Sequence, residues 1–437
     1  MGIAISIFQL SSSTHAELGV EPNQWDIASR QHTVPAITTN TSSWDTLDQY
    51  LPILAAMGFK HLRLSVEWNY IEPQRGIFNT LALRHYQKVI GNCLQYGIEP
   101  MLTFYHFTQP QWFMNLGGFE RDENIPYFTD YCEKVFRFLG HDVKIWCSIN
   151  EPAVESFMGY ILGLFPPHQR LQFHRAATVL ANLLKAHVQI CMMVEKLSGG
   201  GNHKIGLVHN ILQFESKSSL ISKLITEPLT HFTNELVMHF LKTGEFNYKG
   251  VHYQDRRYRG NCSFVNIYGR VQMGYTGTTC QKNQKMGDMH IAIYPQSYSE
   301  ALNQAACLHL PIYITETGIA DQQDIIRPEF IIQFLRVVID KLACGMDIER
   351  LYFWTMKDNY EWHRGNKIQF GLFNENNIPR SSAYLFEWII KKFKEVLLQY
   401  QDPELIIEQW GNILDLSEQK IEEGNVSYFE KFCKQQR

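Results

Sequence analysis

The chain has 437 residues, of which 45% are hydrophobic and 19% are charged, and this composition excludes a mainly disordered or collagen-like protein. A formal net charge of −4 and an isoelectric point near 6.5 give no reason to expect a nucleic acid or an anionic membrane as partner. The nine cysteines are scattered and never form a Cys-x-x-Cys pair, which argues against a disulfide framework and a zinc site.

The opening residues and the hydropathy bear on location. No run approaches about 18 apolar residues, the length that a membrane-spanning helix needs. The opening Met-Gly-Ile-Ala-Ile-Ser lacks the basic segment and the long apolar stretch of a secretory signal. The sequence therefore predicts a cytoplasmic protein without a membrane partner, and it leaves the oligomeric state open.

Short apolar runs rich in β-forming residues recur along the chain and predict eight strands. They cover residues 3–10, 61–68, 98–105, 143–149, 204–210, 262–268, 311–316 and 351–354. Helical patterns lie between and after them at residues 44–57, 80–96, 125–139, 174–197, 228–241, 297–308, 328–343 and 382–398. Eight strand and helix units in strict alternation are typical of a closed parallel barrel, so we predict an α/β protein with a single (β/α)8 TIM barrel.

An open, doubly wound sheet is the structural alternative, and it normally carries a Gly-rich turn for phosphate after an early strand. The glycine run at residues 199–201 instead follows a predicted helix, which is typical of a helix end and a loop. Long insertions between strand and helix cover residues 9–44, 150–174 and 266–297. We expect them at the C-terminal face of the barrel, where active sites are built.

The chain divides into a predicted barrel at residues 1–398 and a C-terminal extension at residues 399–437. The extension is rich in Gln and Glu and carries two apolar stripes, at residues 405–414 and 426–432. These stripes predict short helices that pack on the outside of the barrel.

Two glutamates end predicted strands. Glu151 follows the fourth strand and Glu316 ends the seventh, so both side chains are expected at the mouth of the barrel. Two carboxylates that face one pocket are what the hydrolysis of a glycosidic bond requires. Spacing alone leaves a second interpretation open, because a glutamate at a strand end is often a surface residue or a loop anchor.

The residues around these glutamates resemble a known family. The strings Ser-Ile-Asn150-Glu151-Pro and Tyr-Ile-Thr-Glu316-Thr-Gly318 are similar to the acid/base and nucleophile signatures of glycoside hydrolase family 1. Further matches are Gly58-Phe-Lys-His-Leu-Arg63-Leu-Ser-Val-Glu-Trp68, Gly97-Ile-Glu-Pro-Met-Leu-Thr-Phe-Tyr-His106, Gly159-Tyr-Ile-Leu-Gly-Leu-Phe-Pro-Pro167, Asn266-Ile-Tyr268 and Trp354-Thr-Met-Lys-Asp-Asn-Tyr-Glu361-Trp362. Together these motifs cover residues 3–390.

The resemblance implies a retaining β-glycosidase that needs no metal and no organic cofactor. It implies Glu316 as nucleophile, with Arg63 and Tyr268 favouring its ionised form, and Glu151 as general acid/base. The carboxyl groups of a retaining pair lie about 5–5.5 Å apart, so an anionic Glu316 is expected to raise the pKa of Glu151. The implied sugar-binding residues are Gln9, His106, Asn150, Asn266, Trp354, Glu361 and Trp362.

The sequence departs from the family at the leaving-group side. Phe107 follows His106 where tryptophan is usual, and Ile291 stands where many members have a tryptophan that stacks on the aglycone. No tryptophan occurs between Trp146 and Trp354. A leaving-group platform must therefore be Phe, Tyr or Met, or be missing, and the leaving-group preference of the family does not carry over.

A 6-phosphoglycoside is one alternative substrate, since Arg364 and Lys367 are suited to phosphate and Gln369 stands where arginine is frequent. The presence of Glu361 and Trp362 instead favours an unphosphorylated sugar, because phospho-specific members of the family typically carry a serine-rich segment at this place. A transglycosidase and a non-catalytic glycan-binding protein remain as further alternatives. The presence of both glutamates favours catalysis over binding alone.

Overall fold

The computed structural model describes residues 1–10, 20–37, 43–216, 220–257, 259–274, 277–281 and 284–436. Eight parallel strands close into a barrel in which each strand pairs with its neighbours in sequence and the first pairs with the eighth. The strands are Gly2–Ile5, His61–Ser65, Glu99–Thr103, Ile145–Asn150, Lys204–Asn210, Ser263–Asn266, Ile312–Thr317 and Ile348–Trp354. The predicted TIM barrel is confirmed.

Helices surround this barrel and cover its outer face. They are Ser43–Met57, Thr80–Gln95, Ile125–Leu139, Phe173–Ser198, Leu236–Thr243, Pro295–Ala306, Arg327–Ala343 and Ser381–Gln399. The helix Ile125–Leu139 illustrates the packing, since Phe128, Tyr131, Cys132, Val135, Phe136 and Leu139 follow a helical spacing and are buried. Each such aromatic or aliphatic side chain contributes about 1.5–3 kcal/mol when fully buried.

Several predicted boundaries were wrong where a strand runs directly into a buried helix. The first strand ends at Ile5, and the mostly apolar residues Ile7–Leu10 form a helical turn. The second strand ends at Ser65 and is followed by the helix Trp68–Ile71. A short apolar run does not distinguish a buried strand from a buried helical turn, which explains both errors.

The helix predicted at residues 228–241 is longer and irregular. It comprises Leu220–Thr230, a π-helical turn at His231–Glu235 and Leu236–Thr243. A three-stranded sheet of Gln213–Ser216, Arg270–Gly274 and Gly277–Thr279 lies beside it, formed by the chain that follows the fifth and sixth barrel strands. These segments reach the mouth of the barrel. Parts of the predicted insertions at residues 9–44 and 266–297 lie outside the described residues.

One helix among the described residues, Phe173–Ser198, has the length and apolar composition of a membrane span. Of its apolar window, 72% is buried inside the protein, where it packs against the fourth and fifth strands. Gly199 follows it with a φ of 57°, a left-handed conformation that ends the helix as the glycine run predicted.

The C-terminal extension forms two helices, Pro403–Glu422 and Ser427–Gln436, on the outside of the barrel. Trp410 stacks on Phe393 with a ring separation of 4.9 Å, and Phe429 packs edge-on against Trp388 at 5.4 Å. The two helices therefore share a core with the last barrel helix. The division of the chain at residue 398 stays a prediction.

Candidate active site

The predicted site residues meet at the C-terminal mouth of the barrel. A cavity of about 300 Å³ is lined there by Gln9, His106, Asn150, Glu151, Tyr268, Glu316, Trp354, Glu361 and Trp362. The two remaining predicted residues, Arg63 and Asn266, are buried beneath it and bond to the glutamates. Two other clefts are larger, about 460 and 590 Å³, but none of the predicted site residues lines either of them.

Glu316 lies at the end of the seventh strand and is fully enclosed by polar partners. Its Oε1 forms a buried ion pair with the guanidinium of Arg63, and its Oε2 accepts a hydrogen bond of 2.6 Å from the hydroxyl of Tyr268. The next glycine, Gly318, has no room for a side chain, because a Cβ there would collide with the carbonyl oxygen of Trp354. This close approach explains the Glu-Thr-Gly sequence of the strand end.

Arg63 is 1% exposed and links four strands of the barrel. Besides Glu316 on the seventh strand, it donates to Thr103 Oγ1 on the third at 3.1 Å and to Asn150 Oδ1 on the fourth at 2.7 Å. A buried guanidinium needs a full set of partners to offset its loss of hydration. The arrangement therefore fixes the side chains of Glu316 and Asn150 together.

Glu151 follows the fourth strand with a φ of 44°, in the left-handed region that costs a residue with a side chain about 1–2 kcal/mol. Its Oε1 accepts a 2.6 Å hydrogen bond from the amide of Asn266. That amide is oriented by Thr315, whose hydroxyl donates to Asn266 Oδ1 at 2.7 Å. Burial, and then the negative charge of Glu316, raise the pKa of Glu151 to about 8.

Glu151 and Glu316 therefore occupy opposite electrostatic environments in one cavity. Glu316 faces a permanent cation and a hydroxyl donor, whereas the buried carboxyl of Glu151 accepts from an amide and forms no ion pair within the described part of the chain. At neutral pH Glu151 is therefore protonated and can donate a proton, whereas Glu316 is held in an ion pair with Arg63.

His106 and Asn150 form the next part of the wall. The rings of Trp354 and Trp362 flank His106 nearly in parallel, with separations of 5.9 and 6.0 Å. Burial and the charge of Arg63 lower the pKa of His106 well below its usual value, so the ring is neutral. Because Arg63 holds Asn150 Oδ1, the amide nitrogen of Asn150 is left to face His106, at 3.5 Å, and the cavity.

Gln9 and Glu361 complete the polar side of the cavity. Gln9 Nε2 donates to the carbonyl oxygen of Tyr360 at 3.0 Å and to Glu361 Oε2 at 3.3 Å. Gln9 Oε1 is buried and has no hydrogen-bond partner among the described residues, so it can accept from a sugar hydroxyl. Burial, Glu316 and Glu151 raise the pKa of Glu361 to about 8, which keeps its carboxyl protonated at neutral pH.

Some residues of the site were missed by the sequence analysis. Trp25 packs on Trp362 at 4.8 Å and donates to the carbonyl oxygen of Phe107 at 2.8 Å. Because Trp25 lies in a long insertion, no local sequence pattern indicated that it belongs to the site. Asn210 lines the cavity and lowers the pKa of Glu151 through a hydrogen bond. Its place at the end of the fifth predicted strand could have identified it.

The cavity has two contrasting walls. The polar wall consists of Gln9, His106, Trp354, Glu361 and Trp362, which follow the eighth, first and third strands. The apolar wall follows the fourth, fifth and sixth strands and also includes the polar residues Asn210, Thr233 and Asn234. Its apolar side chains are Val154, Phe157, Met158, Leu212, Phe214, Met289 and Ile291. Glu151 follows the fourth strand, and Glu316 lies near the end of the seventh. In the order of the strands around the barrel, each glutamate therefore stands between the polar wall and the apolar wall.

The residues considered for phosphate lie away from the cavity. Arg364 and Lys367 are exposed, and no lysine or arginine of the described residues lines the cavity. Gln369 accepts a 2.7 Å hydrogen bond from Arg380, which also pairs with Asp358. Within the described residues, no group of three or more His, Cys, Asp or Glu side chains is placed to hold a metal ion.

Comparison with known proteins identifies the family. The sequence model of glycosyl hydrolase family 1 matches residues 1–267 and 252–395. The chain belongs to this family. Among curated family 1 relatives, β-glucosidase 16 of Arabidopsis thaliana is 26% identical over 85% of each chain. The 6-phospho-β-galactosidase 1 of Streptococcus pneumoniae is 25% identical over 85% of this chain and 92% of its own length.

A solved structure agrees over nearly the whole length. The β-glycosidase from Pyrococcus horikoshii superposes with a TM-score of 0.79 and 29% identity, and the match covers 94% of this chain and 96% of that one. As a family 1 member with β-glucosidase relatives, the protein is a glycoside hydrolase, and its substrate is a small-molecule glycoside.

Proposed function

We propose that the protein hydrolyses β-linked glucosides, galactosides or closely related glycosides with retention of configuration, through a glycosyl-enzyme formed on Glu316. One observation carries this proposal. Two glutamates face the same cavity, one ion-paired with Arg63 and one with its pKa raised to about 8. A nucleophile and a general acid require these two different environments.

In the first step, the carboxylate of Glu316 attacks the anomeric carbon and the bond to the leaving oxygen breaks. Glu151 donates its proton to that oxygen, so the aglycone leaves as a neutral alcohol. We expect the two carboxyl groups about 5–5.5 Å apart, as this geometry requires. The hydroxyl of Tyr268 and the guanidinium of Arg63 hold the attacking oxygens in place.

In the second step, water replaces the aglycone. Ester formation removes the negative charge of Glu316, which is one of the two causes that raise the pKa of Glu151. The pKa of Glu151 therefore falls, and its carboxylate takes a proton from water while the water oxygen attacks the anomeric carbon. The ester bond breaks, and Glu316 regains its charge.

The polar wall supports recognition of an unphosphorylated pyranose. Gln9 and Glu361 are placed to bridge neighbouring hydroxyls, and the indole of Trp354 offers an apolar face. The amide of Asn150, beside Glu151, is placed for the 2-hydroxyl, where hydrogen bonds strengthen in the transition state. The absence of lysine and arginine from the described lining of the cavity favours this sugar over a 6-phosphoglycoside.

A mechanism-based label tests the proposal. A panel of 2-deoxy-2-fluoro glycosides should add one sugar mass to the intact protein, and peptide mapping should place it on Glu316. The sugar that reacts fastest names the glycone. A Glu151→Ala variant should regain rate with azide, which needs no proton from the enzyme. Sugar binding by calorimetry, without turnover of any aryl or alkyl β-glycoside, would instead support the glycan-binding alternative.

The fate of the glycosyl-enzyme separates hydrolysis from transglycosylation. Product chromatography with added alcohols or sugars should show free sugar as the main product if water is the acceptor. We also propose a cytoplasmic location, because Cys93, Cys132, Cys147 and Cys191 are free thiols that are fully enclosed at 0% exposure. Fractionation of the native cell tests this location.

A further inference from the structure

A second cleft, of about 460 Å³, lies on the outer side of the barrel. It is bounded by the fifth and sixth strands, by the helix Leu236–Thr243 and by residues 307–310, which lead into the seventh strand. Arg259, which also lines it, precedes the sixth strand. Segments that precede strands lie at the N-terminal end of a TIM barrel, opposite the catalytic mouth. No described residue lines both this cleft and the active-site cavity.

The cleft has an excess of positive charge. Its permanent cations are Lys242, Arg256, Arg257 and Arg259, and no Asp or Glu among the described residues lines it. Two of these charges are compensated, because Arg257 pairs with Asp255 at 2.5 Å and Arg256 pairs with Glu245 at 3.0 Å. Lys242 and Arg259 form no ion pair within the part of the chain that the structure describes. The cleft therefore offers two uncompensated cations to an anionic ligand.

Arg259 is the better placed of these two cations. Its Nε donates to the carbonyl oxygen of Leu241 at 3.2 Å, and its Nη1 donates to the carbonyl oxygen of Asp255 at 3.1 Å. These bonds hold the plane of the guanidinium. Its Nη2 donates to no described residue, so this N–H edge is open to a phosphate or carboxylate oxygen. Lys242, on the helix Leu236–Thr243, adds a point charge to the same cleft.

A buried histidine supplies a neutral contact. His209 lines the cleft and is 1% exposed. Burial lowers the pKa of His209 to about 4, so the ring is neutral, and one ring N–H donates to the backbone carbonyl of Asn234. The other nitrogen, Nε2, has no hydrogen-bond partner among the described residues. Because a neutral imidazole has one donor and one acceptor, Nε2 is an acceptor for a ligand N–H or hydroxyl.

The rest of the lining is largely apolar. It includes the side chains of Leu207, Met238, Leu241, Val265, Leu308 and Leu310. A sugar phosphate would leave most of its hydroxyls without partners on such a surface. A fatty acid would have no donor for His209. A nucleoside monophosphate combines a phosphate, a flat base with apolar faces and a ring or amino N–H, and the volume of the cleft is typical of small-molecule sites.

We propose that this cleft binds a nucleoside monophosphate. The phosphate contacts Arg259 and Lys242, the base lies on the apolar lining, and a base N–H donates to His209 Nε2. No bond of the ligand is made or broken. The inference goes beyond the proposed hydrolysis and does not depend on it, because the cleft and the catalytic cavity share no described residue.

Calorimetry on the full chain tests this site with AMP, GMP, CMP and UMP as the probes. At least one of them is expected to bind one to one with a Kd below about 1 mM. The corresponding nucleoside and inorganic phosphate should each bind at least about tenfold more weakly, because each lacks one set of contacts. Absence of binding by all four nucleotides up to about 5 mM would overturn the inference. Tighter binding of glucose 6-phosphate than of any nucleotide would also overturn it.

Variants locate the phosphate. Lys242→Gln should raise the Kd of the nucleotide about fivefold, and Arg259→Lys should raise it about tenfold, because lysine keeps the charge but loses the planar fork. The matched control is Lys196→Gln, since Lys196 is also an exposed lysine in the last turn of a helix but lies outside the cleft. Lys242 is exposed, so its exchange is expected to leave the fold intact. An unchanged Kd in both cleft variants would contradict the site.

The trapped fluoroglycosyl-enzyme separates this inference from the proposed reaction. Its Kd for the nucleotide should lie within about twofold of that of the free enzyme, because the two sites are distinct. Loss of nucleotide binding on labelling would place the nucleotide in the catalytic cavity and overturn the inference, while the hydrolysis proposal would stand. Failure of the label to reach Glu316, with nucleotide binding still sensitive to Lys242→Gln, would do the reverse.

Discussion

The polar wall and the apolar wall of the cavity are built by different means. Each polar group is held by a second buried group, as Gln9 is by the carbonyl of Tyr360 and Asn150 by Arg63. The apolar side chains come from segments beyond the fourth, fifth and sixth strands and carry no such network. Under the proposed function, the polar network would therefore fix the reacting sugar, whereas the apolar side chains would set the leaving-group preference.

This contrast leads to a general expectation about mutations at the two walls. A change at the polar wall or at Glu316 should slow all substrates alike, because every substrate shares the same reacting sugar. A change at the apolar wall should alter the ratio between leaving groups. The following variants test that division, from the largest expected effect to the smallest.

Replacing the nucleophile should have the largest effect. Glu316→Gln is expected to lower kcat at least about 10⁴-fold on every glycoside, because the glycosyl ester no longer forms. Steady-state rates on alkyl and aryl glucosides measure this. Glu155→Gln is a matched control. Glu155 is a buried carboxyl one helical turn beyond Glu151, it accepts a hydrogen bond from the hydroxyl of Tyr105, and it lies outside the cavity lining. Its rate should stay within about threefold of wild type.

Removing the cation beneath Glu316 should affect both rate and stability. Arg63→Met is expected to lower kcat about 10²–10³-fold and the free energy of unfolding by about 3–5 kcal/mol, because it leaves a buried carboxylate unpaired. Chemical denaturation and steady-state kinetics measure the two effects. The double variant Arg63→Met with Glu316→Gln should recover most of the stability and none of the activity. Additive losses of stability would contradict the coupling.

The raised pKa of Glu151 predicts a leaving-group-dependent pH profile. With an alkyl glucoside, kcat/KM should fall as pH rises through about 8, because Glu151 loses the proton it must donate. With a dinitrophenyl glucoside, whose leaving group needs no proton, that fall should largely disappear. Glu361 also titrates near pH 8, so Glu361→Gln is the control and should retain the fall. The same profile for both substrates would argue against Glu151 as the acid.

A smaller effect is expected from the group that orients Asn266. Thr315→Val removes the 2.7 Å hydrogen bond to Asn266 Oδ1, so the amide is no longer fixed toward Glu151. We expect a loss in kcat/KM of about fivefold, equivalent to about 1 kcal/mol. Because the bond from Asn266 lowers the pKa of Glu151, the basic limb should also move upward in pH. Thr315→Ser, which keeps the hydroxyl, should restore both values.

The apolar wall should give the smallest change, and only in a ratio. Ile291→Trp adds a flat ring at the place where many family members stack the aglycone. It is expected to raise the aryl to alkyl ratio of kcat/KM by about threefold, through a new stacking contact. An equal change in kcat/KM for the aryl and the alkyl substrate would contradict the division of roles between the two walls.

The alternation of strands and helices could be predicted from the sequence, because each barrel strand is an apolar run and each helix carries a periodic apolar face. The predicted site residues also came together, since most of them lie in a barrel strand or within three residues of its end. Trp25 and Phe214 were not predictable in the same way. They come from insertions whose position depends on tertiary packing against Trp362 and the added three-stranded sheet, which no local pattern encodes.

Arg63 joins the carboxylate of Glu316 to the interior of the barrel, since from the second strand it donates to groups on the third, fourth and seventh strands at once. Mutations that inactivate the enzyme therefore differ in how strongly they affect the fold. Exchange of Glu316 for a neutral amide would silence the enzyme and leave Arg63 its hydrogen bonds to Thr103, Thr315 and Asn150, whereas loss of the arginine would remove the whole network. A descendant that kept only sugar recognition would reach that state most easily through the glutamates, with the guanidinium still in place.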